Sequence, residues 1–284
     1  MRSNFSLLTA PLPSFICTTC GTQYPESVRP PDQCLICAEE RQYVGWKGQL
    51  WTTLEELRRD HHNRLAPEGP GLVGIGTEPK FAIGQRALHI RTAEGGFLWD
   101  CISLVDEATI AAIQALGGVD GMAISHPHYY SSMVEWSRSL GGVPIFLHAA
   151  DSPWVVRPDP AILFWDSPTR EVAPGITLIH CGGHFAGGTV LHWRAGADGQ
   201  GALLSGDVIM VAQDRRTVSF MYSYPNYIPL NPAAVQRIAA ALEPFEFEQV
   251  YGAWFGQNVL SAGKQAVRYS VRRYLHAISP REQG

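Results

Sequence analysis

Three histidines and one aspartate in this 284-residue chain each follow an apolar run that ends in a turn. Folds built on strands gather such residues at one edge of a sheet. Three imidazoles and a carboxylate are ligands that suit a borderline metal such as zinc or iron. The pattern therefore predicts a metal site at strand ends. Its residues are His126 and His128 after residues 121–125, His184 in the glycine-rich segment 181–188, and Asp207 after residues 202–204.

The motifs around these residues resemble the metallo-β-lactamase superfamily. The family pattern is His-x-His-x-Asp-His, then Gly-His, then Gly-Asp, then a late Gly-His. This chain has Gly-His at 183–184 and Gly-Asp at 206–207, and the resemblance covers roughly residues 72–260. It implies an α/β fold, an αββα sandwich. It also implies the metal ligands His126, His128, His184 and Asp207.

The chain departs from the family pattern where the second metal ion of dinuclear members is bound. The pattern places an aspartate at position 130 and a histidine at position 131, but this chain has Tyr130 and Ser131. The late histidine expected near position 254 is also missing, since Trp254 stands there. Because the losses fall together on the second site, we expect one metal ion rather than two.

Four of the six cysteines form two Cys-x-x-Cys pairs near the start of the chain. Each pair makes a tight knuckle, and two knuckles supply four thiolates in a tetrahedral array. The segment is too small to fold by burial alone, so a structural zinc ion would stabilise it. Two disulfides, or iron held as in a rubredoxin, are the alternatives. The cysteines are Cys17, Cys20, Cys34 and Cys37.

Composition and the positions of proline and glycine predict three regions along the chain. Residues 1–45 form the zinc-ribbon-like module, and residues 72–284 form the metallo-β-lactamase-like domain. Residues 46–71 between them hold a helix at 53–60 and a Pro- and Gly-rich linker at 66–71. From residue 81 onward, strand and helix patterns alternate, which favours α/β architecture.

Five residues are candidates for the chemistry and for substrate binding, and one of them, Asp207, is also a predicted ligand. Tyr130 can donate a hydrogen bond to a developing oxyanion, and Asp207 is the second catalytic candidate. Several aromatic residues surround the predicted site in sequence, and three of them are expected to contact substrate. These three are Tyr129, Tyr224 and Trp254.

Two residues close to His184 in sequence could also approach the metal. His180 is a candidate substitute ligand or supporting residue, and Cys181 is the nearest thiol. The histidines in other apparent strands are expected to be hydrogen-bonded core or rim residues. These are His89, His148 and His192.

Composition limits the classes of partner. With a net charge of −4, the chain lacks the excess of basic residues that is typical of nucleic-acid-binding proteins. No apolar run reaches the length that a bilayer span requires, so we expect no membrane contact and a cytoplasmic location. We expect a small-molecule substrate, with a homo-oligomer or a protein partner at the N-terminal module as a further possibility.

Three functions are compatible with these residues. The first is hydrolysis of a small ester, thioester or lactone by a hydroxide bound to a single zinc or iron ion. The second is a mononuclear iron oxidoreductase of persulfide-dioxygenase type, using His126, His184 and Asp207 as two histidines and one carboxylate. The third is a metal-binding protein without catalysis.

Overall fold

A computed structural model describes residues 12–92 and 94–279, and the chain begins there with a small antiparallel sheet. Its strands are β1 (Ser14–Cys17), β2 (Gln23–Glu26) and β3 (Trp51–Thr52), in the order β2-β1-β3. Because β3 pairs with β1, the module extends to residue 52, beyond the predicted boundary at 45.

Helix α1 (Leu54–Asp60) follows the small sheet where the sequence predicts a helix. The Thr53 side chain accepts a hydrogen bond from the Glu56 backbone N–H, and the Glu56 side chain accepts one from the Thr53 backbone N–H. This reciprocal capping box satisfies two backbone donors at the helix start.

The first large sheet has seven strands. In chain order they are β4 (His62–Gly69), β5 (Leu72–Glu78), β6 (Ala87–Arg91), β7 (Gly96–Trp99), β8 (Gly121–Ala123), β9 (Ile145–His148) and β10 (Ile162–Trp165). The spatial order is β10-β9-β8-β7-β6-β5-β4. Strands β4 to β7 are antiparallel, whereas β7 to β10 are parallel.

The predicted linker at residues 66–71 is wrong, because residues 66–69 belong to β4 and pair with β5. Strand β4 is at the edge of its sheet, where a proline without an N–H is tolerated. The register shifts between Pro67 and Gly69, so the bulge accommodates the residues that suggested a linker.

The second large sheet has six strands in the order β11-β12-β13-β14-β19-β20. These are β11 (Thr169–Ala173), β12 (Ile176–His180), β13 (Thr189–Trp193), β14 (Ala202–Gly206), β19 (Gln249–Gly252) and β20 (Asn258–Val259). Two short hairpins lie between β14 and β19, formed by β15 (Met210–Val211) with β16 (Val218–Ser219) and β17 (Met221–Ser223) with β18 (Ile228–Pro229).

Four helices cover the outer faces of the sheets. They are α2 (Glu107–Ala115), α3 (Met133–Ser139), α4 (Pro232–Leu242) and α5 (Gly263–Ile278). Helix α4 shows why these segments are helical: the Asn231 side chain caps its start, and Pro232 occupies the first turn. Its residues Val235, Ile238 and Leu242 are spaced to lie on one buried face.

Three apolar cores define the layers. One lies between the two sheets and includes Trp99 and Phe146 of the first sheet with Leu191 of the second. A second lies under α3 of the first sheet, and a third under α4 and α5 of the second. The αββα sandwich predicted from the sequence is confirmed.

Helix α5 carries a stripe of basic residues. Arg268, Arg272 and Arg273 are exposed, whereas Val267 and Val271 face the core, so the stripe is a solvated helix face. Within residues 12–92 and 94–279, no helix has both the length and the apolar character needed to cross a membrane.

Candidate metal centre

The predicted histidines and aspartate lie at the ends of strands from both sheets. His126 follows β8 in extended conformation and begins a 3-10 helix (Pro127–Tyr129) that contains His128. His184 lies in the turn between β12 and β13, and Asp207 follows β14 directly. Gly206 has a φ of +54°, and a Cβ there would lie 2.8 Å from the Ser125 hydroxyl, so the close approach of β14 to β8 requires glycine.

The three histidines converge on one point. His128 Nδ1 lies 3.1 Å from His184 Nε2, and one nitrogen from each of the three rings lies within 4.8 Å of the others. Asp207 joins this cluster at His126, with 3.2 Å between its Oδ1 and His126 Nε2. All four are buried, with His184 0% and Asp207 4% exposed. The structure thus brings together the four residues predicted from the sequence.

The surroundings keep the histidines neutral. Burial lowers the pKa of His126 and His128 well below the ordinary value, and lowers the pKa of His184 to about 4. The nearby Arg41 guanidinium lowers these pKa values further. Burial also raises the pKa of Asp207 to about 7. Neutral imidazoles have the free lone pairs that metal binding requires.

Two hydrogen bonds orient the rings. Ser125 Oγ lies 2.9 Å from His126 Nδ1, and the Met221 carbonyl oxygen lies 3.0 Å from His184 Nδ1. Each leaves the Nε2 atom of its ring for the centre of the cluster. A second layer of partners of this kind fixes the tautomer of a metal-binding histidine.

The cluster fits a cation. His126 Nε2 and Asp207 Oδ1 lie 3.2 Å apart, are buried and make no hydrogen bond within the described parts of the chain. Buried polar atoms without partners are costly, and a bound metal ion would satisfy those that converge here. Three imidazoles with one carboxylate suit zinc or iron.

The four knuckle cysteines form a second candidate metal site. Their sulfur atoms lie within 4.8 Å of one another, and the Cys17–Cys37 and Cys20–Cys34 pairs are each 3.6 Å apart. Sulfurs around a tetrahedral zinc ion, each about 2.3 Å from the metal, lie roughly 3.8 Å apart. All four cysteines are free, so the structure does not contain the alternative disulfides. The Gln49 side chain donates a 3.2 Å hydrogen bond to Cys17 Sγ, which suits a thiolate.

Comparison with known proteins places the chain in a family. It is 47% identical over 270 residues to the uncharacterized protein YmaE of Bacillus subtilis (strain 168), covering 94% of this chain and 98% of YmaE. The chain belongs to the YmaE family. No family model matches it.

Solved structures similar to this chain include metallo-β-lactamases. DIM-1 metallo-β-lactamase exposed to ceftazidime has a TM-score of 0.57 and 11% identity, covering 77% of this chain and 98% of its own. FIM-1 from Pseudomonas aeruginosa, in its mono-zinc form, has a TM-score of 0.55 and 16% identity, covering 77% and 97%. At this identity the likeness shows the fold alone, and that fold is the one predicted from the sequence.

Two of the predicted substrate residues lie at the histidine cluster. The Tyr129 ring is 4.5 Å from the His126 ring and fully buried. The Tyr224 ring is 5.5 Å from that of His184, and its hydroxyl donates a 2.7 Å hydrogen bond to the Asp207 carbonyl oxygen. Both tyrosines therefore form part of the wall around the cluster.

Tyr130 and Trp254 do not join the cluster. The Tyr130 hydroxyl is directed to the Asp151 carbonyl oxygen at 3.5 Å, because successive residues of a 3-10 helix point about 120° apart. Trp254 donates to the Ile83 carbonyl oxygen at 3.4 Å and packs against the helix-covered core of the first sheet. Tyr129, rather than Tyr130, is the tyrosine that faces Asp207, whose charge raises the already high pKa of the buried phenol.

The remaining histidines and Cys181 have structural contacts. His180 stacks on His148 with ring centroids 3.7 Å apart and bonds to the Ala186 carbonyl oxygen, so it is not a substitute ligand. Cys181 lies in the core under α4 and α5. His89 and His192 each bond to a carbonyl oxygen at 2.8 Å, as expected for core or rim residues.

Sequence reasoning missed Phe185 and Arg41. The Phe185 ring packs against all three histidines, at 4.8 Å from His128. Arg41 stacks on Phe185 at 3.9 Å and donates a 3.1 Å hydrogen bond to the His184 carbonyl oxygen. Phe185 follows His184 directly and could have been noticed, but nothing in the sequence links Arg41 to a residue 143 positions later.

The positions that lack second-metal ligands contact the N-terminal module instead. The Gln23 N–H donates to the Ser131 carbonyl oxygen at 3.0 Å, and Tyr130 and Ser131 line a small cavity together with Thr22 and Gln23. The Ser131 hydroxyl accepts a 3.0 Å hydrogen bond from the Gln85 side chain. This side of the site is therefore a docking surface for the module.

Proposed function

We propose that this protein is a metal-dependent hydrolase of small ester, thioester or lactone substrates, with one metal ion at the histidine cluster. The observation that supports it most directly is the convergence of three buried, neutral imidazoles beside the Asp207 carboxylate. The fold is shared with FIM-1, a metallo-β-lactamase solved in a mono-zinc form. The docking of the module at Tyr130 and Ser131 supports a single ion.

Residues of this chain can supply the remaining parts of the reaction. His126, His128 and His184 would hold a zinc or iron ion, which would supply Lewis-acid chemistry toward a carbonyl and toward water. The Asp207 carboxylate, whose Oδ1 lies 3.2 Å from His126 Nε2, would be the fourth ligand of that ion. The buried Tyr129 hydroxyl, which makes no hydrogen bond within the described residues, can donate to a developing oxyanion.

We also propose that the four-cysteine site holds a structural zinc ion. The sulfur spacing and the tetrahedral ligand set support zinc, and the cysteines lie in the small sheet and its loops rather than at the histidine cluster. The partner of the module is this chain's own domain, to which it is hydrogen-bonded at Ser131 and His184.

A metal-binding protein without catalysis is the second candidate, because the histidines are 0–3% exposed. Element-resolved metal content and turnover on a panel of esters, thioesters and lactones separate the two functions. Oxygen uptake by the iron-loaded protein with a thiol persulfide would instead support the oxidoreductase.

The deciding variant is His184→Ala, with His180→Ala as its matched control four residues away. We expect His184→Ala to abolish metal binding at the cluster and turnover, because it removes a ligand. His180→Ala should retain both, because His180 bonds only to a backbone carbonyl and stacks on His148. Turnover retained in His184→Ala would contradict the proposal, and so would a metal-loaded wild type inactive on the whole panel.

The neighbouring tyrosines form a second matched pair. Tyr129→Phe should lower kcat by about 10²-fold, the scale of one lost oxyanion donor, without changing metal content. Tyr130→Phe should leave kcat unchanged, because its hydroxyl contacts the Asp151 carbonyl oxygen instead. Equal effects of the two substitutions would show that neither hydroxyl acts on the substrate.

A further inference from the structure

The N-terminal module lies across the edge of the sandwich where the histidine cluster is built. On the first-sheet side, the Ser103 hydroxyl donates to the Gly21 carbonyl oxygen at 2.9 Å, and the Gln23 N–H bonds to Ser131. On the second-sheet side, Arg41 bonds to the His184 carbonyl oxygen. The module thus bridges both halves of the fold over the cluster.

Residues 39–42, which we call the cap segment, make the closest contacts. The Arg41 guanidinium lies 3.9 Å above the Phe185 ring, and that ring packs against all three histidines. The Arg41 side chain is only 13% exposed, and a 2.8 Å bond to the Glu39 carboxylate holds its orientation. The cap segment and Phe185 therefore form one wall of the cluster.

The β17–β18 hairpin fastens the cap segment from the opposite side. The Ser223 hydroxyl donates to the Arg41 carbonyl oxygen at 3.1 Å. The Asn226 side-chain amide donates to the Glu40 and Gln42 carbonyl oxygens at 2.8 and 3.2 Å. Asn226 itself is exposed on the hairpin, so these bonds serve the cap segment rather than the core.

The other end of the cap segment is tied to the four-cysteine site. Cys37 is two residues before Glu39, and the Ala38 N–H closes the knuckle by bonding to the Cys34 carbonyl oxygen at 3.0 Å. A metal ion on the four thiolates fixes this knuckle and hence the start of the cap segment. Without the ion, the four buried thiols would share no bond to a common cation. The knuckle would then no longer anchor the cap segment rigidly.

We propose that the cap segment is a gate over the histidine metal site, and that metal binding at the four cysteines keeps the gate closed. Metal ions and substrate then reach the cluster when residues 39–42 separate from the β17–β18 hairpin. The proposal does not depend on hydrolysis, because a gate controls the rate of access whatever the reaction.

The mild test is Asn226→Ala, which removes two hydrogen bonds from an exposed residue. In the zinc-loaded full-length protein, release of the histidine-site metal to a chelator should become about tenfold faster, the scale of one to two hydrogen bonds. Metal uptake should accelerate equally, so the equilibrium affinity stays the same. The control is Asn63→Ala, away from the cluster, whose amide nitrogen also donates two hydrogen bonds, to Leu104 and Thr109, and whose amide oxygen accepts a third from Thr77.

The second test is Cys37→Ser, which removes the anchor. It should accelerate metal release at least as much as Asn226→Ala and raise the hydrogen exchange of residues 181–188, which can be measured with or without metal. Unchanged release and exchange in both variants would overturn the gate. A lower affinity in Asn226→Ala would also overturn it, because a gate changes rates and not the equilibrium. Faster access in a protein that hydrolyses nothing would support the gate and reject only the proposed function.

Discussion

Replacing Ser125 by alanine tests whether the histidine cluster is a prepared metal site. Ser125 Oγ lies 2.9 Å from His126 Nδ1, and the Ser125 side chain also stabilises the ionised form of the buried Asp100 carboxyl. Asp100 accepts a 2.7 Å hydrogen bond from the Ser125 backbone as well, and burial raises its pKa to about 7. With the serine oxygen accepting from His126 Nδ1–H, the His126 Nε2 atom is unprotonated and free for a metal.

Ser125→Ala removes the hydrogen bond to His126 and leaves the tautomer of His126 unspecified. Losing a supporting partner of a metal-binding histidine typically costs about 10- to 100-fold in metal affinity. We therefore expect the affinity of the cluster for zinc to fall by about that factor, measured by competition with a chromophoric chelator. The four-cysteine site should keep its affinity, because Ser125 is not part of it.

Ser137→Ala is the matched control. Ser137 is also buried and donates a 2.6 Å hydrogen bond to the Val143 carbonyl oxygen, but it lies on α3 away from the cluster. It should lower the free energy of unfolding without changing zinc affinity. Wild-type zinc affinity in Ser125→Ala would contradict a role for Ser125 in preparing the histidine site. So would a Ser137→Ala variant whose zinc binding is weakened as much as that of Ser125→Ala.

Two further predictions concern other parts of the fold. Cys34→Ser should lose the metal of the four-cysteine site and destabilise the module, while the histidine site still binds metal at equilibrium. Element analysis measures the metal content of both sites. A variant that retains all of its metal would speak against the four cysteines as ligands. Burial, followed by the charge of His180, lowers the pKa of His148 from 6.5 to about 4. Between these pH values His148 is protonated in the unfolded chain but not in the folded one. The free energy of unfolding therefore falls as the pH drops through that range. His148→Gln should therefore reduce this acid-side loss in the free energy of unfolding by about 1–3 kcal/mol, as seen by denaturant titration at several pH values, and a parallel pH profile would refute it.

The sequence predicts the fold and the convergence of the candidate ligands because both depend on local patterns. His126, His128 and Asp207 each follow a buried strand, and strand ends on one edge of a sandwich come together whatever the loops do. The linker prediction for the Pro- and Gly-rich residues 66–69 was wrong because composition cannot distinguish a bulged edge strand from a linker. Only the packing of the whole sheet decides that.

The site wall was harder to predict. Tyr129 and Tyr130 are adjacent, and which of them faces the cluster depends on the phase of a 3-10 helix one turn long. Arg41 could not be assigned at all, because its place beside His184 results from docking one region on another across 143 positions. Such contacts follow from surface complementarity, which no spacing in a single sequence reveals.

The arrangement of the module also implies an order of assembly. The cysteine sulfur contacts join residues at most 20 positions apart, whereas the cap segment bonds to partners 143 to 186 positions later. Contacts between distant residues pay more chain entropy and form later than local ones. During synthesis the thiolates can take their zinc before β17 has emerged, while the histidine cluster is completed only with His184. The histidine site can therefore load its metal while its entrance is still open, and the last hairpin to arrive closes it.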